Sequence, residues 1–186
     1  MSAKQIIHDT EEKMKKSFEV MGHNFAGIRT GRANSGMVEH LKVEVYGSFM
    51  PMRQVANITI PEPRMIILSP WDPTVLKSVE KAINESDLGI APFIDGKNIR
   101  LAIPALTRER REELVKIVHK LAEEGRVSLR SIRRDANEKI KALEKDKSIA
   151  EDESFKAQAD IQKLTDRYIQ LIDQAQASKE KDLTTQ

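Results

Sequence analysis

Residues 107–147 read TRERREELVKIVHKLAEEGRVSLRSIRRDANEKIKALEKDK. The apolar residues Leu114, Val118, Leu121, Leu129, Ile132, Ala136, Ile140 and Leu143 recur mostly at steps of three and four. That spacing keeps them in one narrow stripe on one side of a helix. No proline interrupts the stretch. At 1.5 Å per residue, about 40 residues give a rod of roughly 60 Å. Such a rod cannot bury its stripe alone and requires partner helices.

A second ridge runs beside the stripe. Arg126, Arg130, Arg133, Asn137 and Lys141 follow steps of 4, 3, 4 and 4, with Arg134 on the flank. No acid lies between Glu124 and Asp135. Like charges at helical spacing repel by a few tenths of a kcal/mol per pair, so the cluster asks for an anionic partner. By itself, a solvated helix face explains the ridge more simply than a phosphate-binding face.

Two further helices are expected. In residues 3–29, Ile7, Met14, Met21 and Ile28 recur every seven residues, with Phe18 and Phe25 interleaved and Glu11 as a weak point. This is a coiled-coil-like pattern. The helix is expected to stop at Thr30-Gly31, where glycine supplies a left-handed end. Arg29 and Arg32 would then sit at its last turn, where cations suit the helix dipole. In residues 151–183, Ile161, Leu164, Tyr168, Leu171, Ile172 and Ala175 form the stripe, and Glu151, Asp152 and Glu153 occupy the first turn.

Between the first two helices the character changes. All seven prolines of the chain lie from Pro51 to Pro104. Residues 41–46 alternate with period two, and Gly47-Ser48 reads as a turn. Further strands are expected at 56–60, 64–69 and 98–103, the second being the most continuously apolar and hence central. Asp72-Pro73 opens a helix over 73–86 that buries Leu76, Val79 and Ile83. Asp95-Gly96 is a hairpin signal. The single tryptophan, Trp71, is expected to pack at the edge of this small core.

Three narrow stripes satisfy one another best as an antiparallel three-helix bundle. The fold class is therefore α+β: an elongated bundle, residues 1–30 and 106–186, with an inserted small β/α/β domain, residues 31–105. Two strands of chain join them. Thr30, Gly31, Arg32 and Ala33 on one and Pro104, Ala105 and Leu106 on the other form the expected hinge.

Composition narrows the function. Net charge is +2, from 31 basic and 29 acidic residues, so polyanion binding must be local. Aromatics are only 4%. Without cysteine there are no disulfides and no thiolate chemistry. His8, His23, His40 and His119 show no short metal-ligand spacing. No phosphate loop, nucleophile elbow or zinc-protease motif is present. No catalytic residue, metal or cofactor is expected, and the chain does not read as an enzyme. No apolar run approaches a membrane span and no signal or targeting segment is evident.

Several words of the sequence, in this order and spacing, closely resemble bacterial ribosome recycling factor. Ile28-Arg29-Thr30-Gly31-Arg32-Ala33 closes the first helix, and Arg53-Gln54-Val55-Ala56 and Ser86-Asp87-Leu88-Gly89 lie in the insert. Leu106-Thr107-Arg108-Glu109-Arg110-Arg111 opens the long helix, and Arg130-Ser131-Ile132-Arg133-Arg134-Asp135-Ala136-Asn137 is its arginine centre. Asp160-Ile161-Gln162-Lys163-Leu164-Thr165-Asp166 lies in the last helix.

The resemblance implies a bundle with a hinged insert. It also implies a cytoplasmic, monomeric translation factor that binds the large ribosomal subunit and its RNA after termination. With elongation factor G and that partner's GTP hydrolysis, it would split the ribosome into subunits. It implies ribosomal RNA contact by Arg133 first, then Arg130. Arg134 and Arg126 lie on the same face, and Arg111, Arg29 and Arg32 are weaker candidates. Arg108 departs from the family pattern, which usually places an acid after the threonine. A helical protein adaptor and a general RNA-binding chaperone are the alternative classes.

Overall fold

The computed structural model describes residues 2–185. They form two compact units, one running to Arg29 and resuming over Arg108–Thr185, the other Thr30–Thr107.

The first unit is a three-helix bundle of α1 (Ala3–Ala26), α4 (Arg108–Lys145) and α5 (Glu151–Thr184), in which each helix packs on both others. Contacts along α4 fix the directions. Arg126 and Arg133 reach Asp173 and Gln162 of α5, so α4 and α5 run antiparallel. Gly125 packs beneath both Met21 of α1 and Ile172 of α5.

The α1 stripe differs from the seven-residue series. Ala3, Ile6, Thr10, Met14, Met21 and Phe25 are buried, whereas Ile7 and Ile28 are half-buried. A straight helix drifts about 20° per heptad against a seven-residue count, so Ile7 leaves the core, while Ile28 lies beyond the end of the helix. Thr10 turns its hydroxyl back to the Ile6 carbonyl at 2.6 Å. The helix also stops earlier than expected, at Ala26, with Gly27 as its right-handed cap. Gly31 does adopt φ +74°, but beyond the helix. Arg29 and Arg32 therefore lie outside the last turn, beyond the reach of the helix dipole.

On α4 the buried face is Leu114, Val118, Ala122, Gly125, Leu129, Ala136 and Ile140. A Cβ on Gly125 would stand 3.1 Å from Ile172 Cδ1 and 3.2 Å from Met21 Sδ. Both contacts are to the far ends of flexible side chains, which must give by a few tenths of an ångström to admit an alanine. Gly125→Leu forces several more atoms into a filled seam. It should cost about 1–3 kcal/mol, read as a fall in the melting temperature of the bundle.

The second unit holds a four-stranded antiparallel sheet in the order β3-β4-β6-β5: β3 (Ala56–Glu62), β4 (Met65–Pro70), β5 (Pro92–Asp95) and β6 (Asn98–Ala102). A hairpin of β1 (Lys42–Val45) and β2 (Ser48–Pro51), the short helix α2 (Met52–Val55) and α3 (Leu76–Asn84) complete it. The stretch expected to be central, β4, is indeed internal. Its Ile66 and Leu68 join Val43, Met52, Val79, Ile83, Ile99 and Leu101 in the core.

Trp71 corrects an expectation, because it is 69% exposed. It continues the parity of Ile67 and Ser69, opposite to the inward Ile66 and Leu68. β2, α2 and β5 were not foreseen as elements, and α3 is shorter than 73–86 because its first turn is 3₁₀ (Pro73–Val75). The first hairpin turns at Tyr46-Gly47, φ +49° and +80°, one residue before the expected pair.

Candidate nucleic-acid interface

The cationic ridge forms on α4 as its spacing requires, and α5 shapes it. Arg126 is the most enclosed of the cluster, with its side chain 18% exposed. Its Nε donates to Glu123 at 3.0 Å, Nη1 to Asp173 at 2.8 Å, and Nη1 and Nη2 both to Gln176. Gln176 in turn donates to Glu180 at 2.7 Å, and His119 of α4 stands 2.7 Å from the same carboxylate. Arg126 thus clamps α4 to α5 rather than presenting its fork outward.

Arg130 is 46% exposed and makes one pair, Nη1 to Glu123 at 3.0 Å. Glu123 therefore serves two arginines. Hydrogen bonds from Arg126 and then Arg130 hold its carboxyl below the ordinary carboxylate range. Arg133 donates from Nη1 to Gln162 Oε1 at 2.9 Å, and Gln162 Nε2 donates to Asp166 at 2.8 Å. Arg134 is exposed on the flank. Farther along, Asn137 is half-buried, its Oδ1 without a hydrogen-bond partner, and Lys141 is exposed.

The idea that the ridge lacks acidic neighbours is corrected here. Glu123, just before the acid-free window, and Asp173 of α5 supply them. Two of these links had a local signal: Glu123 precedes Arg126 and Arg130 by three and seven residues. The others, from α5, lie 29 to 50 residues away and had none.

The weaker candidates lie apart from the ridge. Arg111 is half-buried and shares an open cleft with Arg108, Glu112, Val115, Lys116 and Thr184. It is 15 residues before Arg126, about 22 Å along the helix. Arg108 pairs with Glu112 at 3.0 Å within its own helix, which offsets its charge locally. Arg29 falls in the bundle and is exposed, whereas Arg32 falls in the sheet unit, half-buried in a cleft with Glu62, Arg64 and Pro104.

Of the residues expected to form the hinge, Ala33 is tied down within the sheet unit, as is Ile103 just before Pro104. Ala33 N–H donates to Pro63 at 2.7 Å and Ile103 N–H to Arg64 at 2.8 Å. A Cβ on Gly31 would meet Leu106 Cγ at 3.2 Å, and φ is +74°, so a side chain there would be strained twice over. The crossings between units fall at 29–30 and 107–108.

Among the described residues no group of His, Cys, Asp and Glu could hold a metal ion, and no helix is long and apolar enough to cross a membrane. Fold and ridge define the class: an α+β protein with an antiparallel sheet inserted in a three-helix bundle, the bundle bearing one aligned cationic face.

Comparison with known proteins places it within that class. Residues 21–184 match the family model described as ribosome recycling factor. The ribosome-recycling factor of Symbiobacterium thermophilum is 53% identical over 180 residues, covering 97% of each chain. That of Thermus thermophilus is 47% identical over 183 residues, covering 98% of this chain and 99% of its own. A solution structure of ribosome recycling factor aligns with TM-score 0.79 at 41% identity, over 100% of this chain and 99% of that one. A second match comes from models for the T. thermophilus ribosome recycling factor and the E. coli elongation factor G bound to the E. coli post-termination complex. It has TM-score 0.67 at 47% identity and covers 98% of this chain and 99% of that one. The chain belongs to the ribosome recycling factor family.

Proposed function

We propose that this protein binds the post-termination ribosome through the α4 ridge and, with elongation factor G, splits it into subunits. The bundle, residues 1–30 and 106–186, anchors on large-subunit RNA. The insert, residues 31–105, receives the push of the GTPase. Hydrolysis belongs to that partner, and this chain contributes binding and leverage without catalysis of its own. It works as a monomer in the cytoplasm.

The carrying observation is that Arg130, exposed, and Arg133, half-buried, share one ridge while Arg126 ties that ridge to α5. Guanidinium forks suit phosphate oxygens, and contacts of this kind position a protein on RNA rather than read its sequence. Arg133 and Arg130 lead. Arg134 flanks them, Arg126 supports from below, and Arg111, Arg29 and Arg32 add secondary contacts. Tyr46, Phe49, Trp71 and Phe93 of the insert are all 66% exposed or more, as is Phe155 of the bundle, and aromatic side chains of this kind are enriched where proteins meet.

Salt tests the anchor. With three or four phosphate contacts, log affinity for vacant ribosomes should fall with log salt at a slope of about −2 to −3.5. An affinity flat across the titration would instead indicate an apolar adaptor seam.

A further inference from the structure

The arginines of the ridge are held by chemically different partners, and the difference singles out one of them. Arg126 is bound by the carboxylates of Glu123 and Asp173 as well as by the Gln176 amide, and Arg130 by the carboxylate of Glu123. Among the described residues, Arg133 is bound by an amide alone, Gln162, with no carboxylate on it. We infer that Gln162 is the positioning residue that aims Arg133 at its phosphate, with Asp166 fixing the orientation of the amide. This rests on the proposed role of the ridge.

The hydrogen-bond inventory enforces the arrangement. Guanidinium has only donors, so the amide must show it the oxygen. Asp166 has only acceptors when ionised, so it takes the amide N–H₂ at 2.8 Å. The amide cannot flip without losing both bonds. One N–H of Arg133 is thereby used, and four of the five that a guanidinium carries stay available. A carboxylate at 162 would hold the arginine equally well. It would also offset its charge and repel the incoming phosphate. A neutral acceptor holds the side chain and leaves its charge intact. Holding it beforehand removes part of the ordering cost that a long, flexible side chain otherwise meets on binding. The sequence stretch 160–166 thus gains a role that its apolar stripe does not explain.

The test is a double-mutant cycle on the full chain, reading affinity for vacant large ribosomal subunits. Gln162 is exposed, so Gln162→Ala and the length-matched Gln162→Met should keep the melting curve of the parent. Each should weaken binding about threefold to tenfold in the parent, the scale of one ordered side chain. In an Arg133→Ala background neither should weaken it further. A purely structural glutamine would cost the same in both backgrounds, and that additivity would overturn the inference. So would parent-like binding by Gln162→Met while Arg133→Ala binds poorly; the ridge reading would then stand without it. Parent-like binding by Arg133→Ala would instead overturn the ridge reading, and the inference with it.

Discussion

Arg133→Glu should weaken ribosome binding by roughly a hundredfold while leaving the bundle folded. The substitution removes one charge-assisted contact and sets a carboxylate against the same phosphate. At about 1.5 kcal/mol or more for each effect, the sum approaches 3 kcal/mol. Folding loses little, because Arg133 makes one surface hydrogen bond to Gln162. The salt slope should shrink by about one unit with the lost phosphate contact. Arg126→Ala should behave in the opposite way. It unpicks bonds to Glu123, Asp173 and Gln176 at an 18%-exposed site. The melting temperature of the bundle should fall, by the equivalent of about 1–3 kcal/mol, before binding does. Measuring melting and binding together for the two variants separates the contact from its support. Equal affinity for Arg133→Glu and the parent would reject this face as the anchor.

Slack placed at both crossings between the units should uncouple binding from splitting. The crossings fall at 29–30 and 107–108, outside Ala33 and Ile103, whose N–H groups are bonded within the sheet unit. Four Gly/Ser residues inserted at each would add about 10–12 Å of flexible reach. A bundle that only anchors should still bind vacant ribosomes as before. Force applied to the insert would then stretch the linkers before it reached the bundle. Most of the splitting activity with elongation factor G and GTP should disappear. Normal splitting by the slackened protein would reject leverage through these joints.

How much of this could be read from the sequence follows from where each interaction lies. The long helix was legible because its stripe repeats at helical steps over ten turns. The α1 core was legible in kind but misplaced in detail, since Ile7 belongs to a seven-residue count that a straight helix does not keep and Ile28 lies past the helix end. β2 was hidden by its shortness and by Pro51, and Trp71 by a parity that only the inward Ile66 and Leu68 settle. The ridge itself was plain, as its members sit on one helix. Its ordering by Asp173, Gln176 and Gln162 was not, because those residues approach only when α5 folds back along α4. The role in recycling came from the resemblance and from the relatives, not from charge or periodicity.

The most direct test is sedimentation of intact vacant ribosomes with the purified protein, alone and then with elongation factor G and GTP. The protein should cosediment with ribosomes at low salt, and the complete mixture should convert them to separated subunits, with no conversion if GTP hydrolysis is blocked. Whole ribosomes remaining in the complete mixture, or a protein left in the supernatant at low salt, would contradict the recycling function.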